Sequence, residues 1–151
     1  MLEIYIDADA CPVKDETIKV AERHKMRVIM VCDGGIRPHP SPLVDVVVVA
    51  SGADAADDWI AERIGAGDIV ITNDIPLADR CIKAGARVLR PNGQAISEDA
   101  IGMVLATRDL MTDLRETGTI TGGPRPFSKQ DRSQFLNVLE TMVQAVKREQ
   151  P

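Results

Sequence analysis

Short β-branched runs alternate with amphipathic stretches along the first ninety residues, and the alternation predicts strands and helices in turn. Strands are expected over 2–7, 26–32, 44–50, 68–72 and 86–89, and helices over 13–24, 53–64 and 77–84. The run Val46 to Val49 has no polar alternation, which suits a strand covered on both faces in a parallel sheet. Two longer helices follow, one opened by Ser97 and closed near Gly118, the other opened by Ser128 with Asp131 three residues on. Phe135, Leu139, Met142 and Val146 form one stripe of the second, so it must pack on something. The fold class is therefore α/β: a three-layer sandwich with a central, mainly parallel sheet and two C-terminal helices. A chain of 151 residues is the size of one domain. The expected division is a core over about 1–92 and a helical extension over about 93–151.

Composition narrows the function classes. The net charge of −5 argues against a simple basic nucleic-acid module. Two Phe, one Tyr and one Trp are too few for recognition dominated by base stacking. The acidity is localised: residues 44–79 hold eight acids and one base, a net −7, leaving +2 for the remainder. Cys11, Cys32 and Cys81 are odd in number and fit neither a disulfide framework nor a zinc site. No run of about 18 apolar residues is present, and the chain opens on a strand pattern. A cytoplasmic protein without a membrane segment is expected.

In an open parallel sheet, chemistry is expected beyond the carboxyl ends of the strands, where strand order reverses. Asp7 ends the first strand and Asp9 lies two residues on, on the same side if the chain stays extended. Asp74 ends the fourth, and an order 3-2-1-4-5 makes the two ends neighbours. Clustered carboxylates repel unless a cation joins them, and all-oxygen ligands favour magnesium or manganese over zinc. In the helix over 53–64, Ala53, Ala56, Ile60 and Ile64 make the inward stripe, with Asp57 on its edge and Asp58 pointing away. Asp57 and Asp54 are expected to point inward. The bland alternative is that all three acids favour the positive N-terminal end of a helix.

These residues carry a resemblance. The blocks beginning Tyr5-Ile-Asp-Ala-Asp-Ala-Cys-Pro-Val13, then Gly52 to Asp57, Gly67 to Ala78, Leu114 to Gly118 and Gly122 to Phe127, resemble the YaiI/YqxD family of small bacterial proteins. Its members look like PIN-like domains, whose relatives are metal-dependent nucleases on a 3-2-1-4-5 sheet. The resemblance implies that Asp7 is the first acid, Asp57 or Asp54 the mid-chain acid, and Asp74 the acid of a Thr-x-Asp motif. The departure lies after strand five, where another acid is usual and this chain has Arg90-Pro91-Asn92. Asp79 is the nearest substitute, unless it faces solvent.

The implied reaction is one- or two-metal phosphodiester hydrolysis of RNA or DNA, with Asp7, Asp57 and Asp74 catalytic and Asp9 and Asp54 as further ligands. Substrate phosphates require cations. Arg37 and Arg125, in the two Pro/Gly-rich loops, and Lys14, which opens the helix after Asp7, are the candidates. Arg108 falls within the stripe of Ile101, Val104, Leu105 and Met111, so it is expected to point inward, toward a carboxylate in preference to a phosphate. Two other classes stand beside this one. Asp7 and Asp9 also resemble the nucleophile and general acid of haloacid-dehalogenase-type phosphatases, although Cys11 replaces the usual Thr or Val and no lysine is well placed. A non-catalytic nucleic-acid-binding or regulatory module is the third, and the C-terminal helices leave a homodimer open. Cys32 and Arg37 have four residues between them where a tyrosine-phosphatase loop has five, which discards that class. Cys11 reads as a buried thiol, and His24 and His39 lack ligand-like partners.

Overall fold

Period-two alternation divides the strand residues between two apolar faces, and a computed structural model of the chain shows what covers each. It describes residues 2–8, 11–34, 38–50, 54–116 and 126–149, the side chains of 111–113, 115 and 116 excepted. Among them, in chain order, are β1 (Glu3–Asp7), α1 (Lys14–His24), β2 (Arg27–Cys32), β3 (Val44–Val48), α2 (Ala55–Arg63), β4 (Ile69–Ile71), α3 (Ile75–Lys83), β5 (Arg87–Leu89), β6 (Ala95–Ile96), α4 (Ile101–Glu116) and α5 (Lys129–Glu149). The sheet runs β3-β2-β1-β4-β5-β6. The first five strands pair in parallel, as the valine-rich runs led one to expect. β6 was not expected. It pairs antiparallel with β5, closing a hairpin through Gly93 at φ +91°.

Ile4, Ile6, Val28, Met30, Ile69, Ile71 and Leu89 face one layer, built from α1 and α5. Tyr5, Ile29, Val31, Val70 and Val88 face the other, where α2, α3 and α4 contribute Ile60, Leu77, Cys81 and Ile101. This is a three-layer sandwich. The stripe on α5 is buried against the sheet and α1, with Phe135, Leu139, Val143 and Val146 all fully enclosed. Its start is fixed by reciprocal bonds: the Asp131 N–H donates to Ser128 Oγ at 3.1 Å, and the Ser128 N–H donates to Asp131 Oδ2 at 3.0 Å. All three cysteines are buried free thiols. Among the described residues, no helix is long and apolar enough to cross a membrane.

Two of the boundaries that differ from the sequence reading do so for local reasons. α3 begins at Ile75, two residues early, because Asp74 caps it and Pro76 is tolerated in a first turn. Ser97 does bond the Ala100 N–H at 3.2 Å, but regular helix begins only at Ile101.

Candidate functional site

Strand parity aims the acids. Asp7 follows Tyr5 by two residues, so it is directed to the face covered by α2 and α3, and Thr72 follows Val70 in the same way. Because β1 and β4 are parallel neighbours with Ile6 opposite Ile71, the two ends meet. The Thr72 hydroxyl donates to Asp7 Oδ2 at 3.0 Å and accepts the Asp74 N–H at 3.0 Å. Asp74 in turn accepts the Leu77 N–H at 2.9 Å, capping α3. That bond fixes the carboxylate and satisfies an orphan donor of the helix.

The third acid comes from α2. Asp57 is half-buried and shares a hydrogen bond with Asp74. Burial, then the charges of Asp74, Asp7 and Asp54, push its carboxyl from the ordinary 3.8 up to about 7. Asp7, Asp57 and Asp74 are thus gathered at the carboxyl edge of β1 and β4, where the strand order reverses. A cavity of about 120 Å³ opens there, lined by Asp7, Cys11, Ile71, Thr72, Asn73, Asp74 and Pro91. Burial also holds the Cys11 thiol above its usual range. A larger cavity of about 310 Å³ at the amino end of β5 has Arg87 and Glu98 on its wall and no group of acids.

The other candidates divide. Lys14 reaches the cluster's neighbourhood: its Nζ donates to the Ala8 carbonyl at 3.1 Å, and its charge acts on Cys11 together with that of Asp7. Asp54 is exposed, contrary to the inward placing, because it is the N-cap residue and the helical wheel does not govern it. Asp58 points outward as expected and bonds Arg80 at 2.8 Å. Asp79, the alternative after strand five, pairs with Lys83 at 2.9 Å. Arg108 does not turn inward. Its side chain is half-exposed with Nη1 3.1 Å from Asp109, while Ile101, Val104 and Leu105 pack into the core. Asp9, Arg37 and Arg125 lie outside the described residues.

Among the described residues, no three His, Cys, Asp or Glu side chains are arranged closely enough to hold an ion as they stand. The acids are gathered but not closed into a cage. The donor set still fits a hard divalent cation: it is all oxygen, and its mutual repulsion, registered on Asp57, is the charge such an ion would neutralise.

A stability prediction follows from Asp57. A carboxyl raised from 3.8 to about 7 by folding binds its proton more tightly in the native state. Stability from this group is therefore complete below pH 4 and lost as pH rises through 7. The full linkage value is about 4 kcal/mol, and solvent contact reduces it to about 1–2 kcal/mol. Asp57→Asn is expected to melt a few degrees above the wild type at pH 8, with the two converging at pH 4. Thermal melts across that range check it, and a constant difference would contradict the clustering.

Similarity searches return relatives over the whole chain. Residues 5–145 match the family described as "Uncharacterized BCR, YaiI/YqxD family". A UPF0178 protein of Rhodopseudomonas palustris (strain TIE-1) is 60% identical over 148 residues, covering 98% of this chain and 94% of its own length. Another, from Parvibaculum lavamentivorans (strain DS-1), is 59% identical over 151 residues, covering 100% of this chain and 99% of its own. No solved structure matches the chain. With the match spanning the strand ends, α2 and α5 alike, the chain belongs to the YaiI/YqxD family.

Proposed function

We propose that the protein is a divalent-metal-dependent hydrolase of phosphodiester bonds, a nuclease, acting at Asp7, Asp57 and Asp74. The observation that carries the reading is the meeting of three carboxylates from β1, α2 and the head of α3 at the sheet's switch point. No single local motif brings them together, and an N-terminal helix dipole accounts for the acids of α2 but not for Asp7. Asp7, Asp57 and Asp74 would hold magnesium or manganese, with Asp54 at the rim and Asp9 two residues beyond Asp7. Such an ion, when bound, supplies an activated water and shields charge on the phosphoryl oxygens. Thr72 and the Leu77 N–H each take one oxygen of a carboxylate, so Asp7 and Asp74 are held in place before any ligand arrives. Lys14 brings positive charge to the same edge.

The test is cleavage of end-labelled RNA and DNA in magnesium or manganese, beside a generic phosphomonoester. Metal-dependent cleavage lost in Asp7→Asn, Asp57→Asn and Asp74→Asn supports the reading. Turnover of the phosphomonoester alone, or no turnover with retained nucleic-acid binding, overturns it.

A further inference from the structure

We propose that Arg90 is a phosphate-binding residue of this site, holding a non-reacting phosphate of a nucleic-acid strand beside the acidic cluster; the proposal rests on the hydrolase reading above. Arg90 directly follows β5 at the carboxyl edge of the sheet. Its Nε donates to Asn73 Oδ1 at 3.2 Å, and the next residue is Pro91; both Asn73 and Pro91 line the cavity that holds Asp7 and Asp74. The guanidinium therefore stands at the cavity's rim.

Its partners set it apart. Nη1 donates to Gln94 Oε1 at 3.0 Å, so both side-chain acceptors are neutral amides. Arg23, Arg27, Arg63, Arg80, Arg87, Arg108 and Arg132 each lie within 4.0 Å of a carboxylate. Amide oxygens orient a guanidinium without neutralising it. Of its five N–H donors these bonds occupy two, leaving donors and a full charge for a planar, multi-oxygen anion.

The backbone that carries the guanidinium is also anchored. The Arg90 N–H donates to the Gln94 carbonyl at 2.9 Å, and the Gly93 N–H donates to the Arg90 carbonyl at 2.9 Å, which ties the hairpin across its turn. Gly93, at φ +91°, is pressed onto the start of α5, where an added Cβ would lie 2.7 Å from Gln134 Cγ and 2.8 Å from the Phe135 nitrogen. A donor fixed by a hairpin on a core helix loses little freedom on binding an anion. The same edge thus offers carboxylates for a cation and, one strand over, a cation for a phosphate.

The experiment has two arms. In the first, binding of a labelled 12-nucleotide single strand, as RNA and as DNA, is measured in magnesium between 50 and 200 mM salt, in an Asp7→Asn background. Arg90→Gln is expected to weaken binding about tenfold and to reduce the slope of log affinity against log salt by about 0.7, the loss of one phosphate contact. Arg90→Lys restores the slope and part of the affinity, because it returns the charge without the fork. Arg148→Gln makes the same charge change near Glu149, which pairs with Arg87 at the amino end of β5, and is expected to stay within about twofold of its parent. In the second arm, cleavage by otherwise wild-type protein is expected to show a raised KM for Arg90→Gln with kcat within about threefold. An unchanged salt slope with cleavage intact overturns the Arg90 assignment alone. A lost contact with no cleavage in any variant overturns the hydrolase reading and keeps Arg90 as a phosphate contact, whereas no binding by the parent overturns both.

Discussion

Phe135→Ala is expected to lower the unfolding free energy by about 3–5 kcal/mol, a large share of the 5–15 kcal/mol typical of a domain. The ring is fully enclosed in the layer formed by α1, α5 and the sheet. Truncation removes its buried surface and leaves a void that neighbours on three elements cannot close together. The position also matters. Phe135 lies one turn beyond the Ser128–Asp131 cap, and its backbone nitrogen is where a Cβ on Gly93 would collide, so the ring anchors α5 beneath the β5–β6 hairpin. Urea unfolding should show a lower midpoint with an unchanged m-value. Met103→Ala, at a side chain 76% exposed, is expected to stay within about 0.5 kcal/mol. A Phe135→Ala loss below about 1 kcal/mol would mean that α5 is not part of the main core.

What the sequence made legible was what periodicity encodes. Strand order puts Asp7 and Asp74 at neighbouring carboxyl ends of β1 and β4, and a helical wheel puts Asp57 on the edge of the inward stripe, where it is half-buried. The α5 stripe named its buried residues directly. What periodicity does not encode was missed. A wheel assumes that a helix is covered along its length and so turns Arg108 inward, whereas the side chains of α4 that pack on the core, among the described residues, are Ile101, Val104 and Leu105. It assigns no angle to an N-cap, and Asp54, which holds that position, is exposed. β6 is two residues long and shows no period at all. Arg90 sits in the hairpin that joins it, and its setting depends on Asn73 and α5, both remote in sequence. Its position directly after strand five, at the carboxyl edge, is nonetheless readable in the sequence.

Each of Asp7→Asn, Asp57→Asn and Asp74→Asn is expected to lower metal-dependent phosphodiester cleavage by about a hundredfold or more, the scale of losing one preorganised electrostatic group, about 2.7–4 kcal/mol. Asn keeps the shape and one oxygen of each side chain, so the loss reports charge. Asp74 gives the sharpest separation because it also caps α3. Asn is as good an N-cap as Asp, so Asp74→Asn should lose activity while melting near the wild type, whereas Asp74→Ala should lose activity and about 1 kcal/mol of stability. Asp58→Asn, one residue from Asp57 but exposed and paired with Arg80, is expected to remain within about twofold. If the three acids hold one ion set, double variants should be scarcely worse than single ones. Three independent, multiplying losses would instead point to separate roles. Equal loss at Asp58 and Asp57 would reduce the cluster to general surface charge, and the convergence at the ends of β1 and β4 would then serve α3's cap and nothing more.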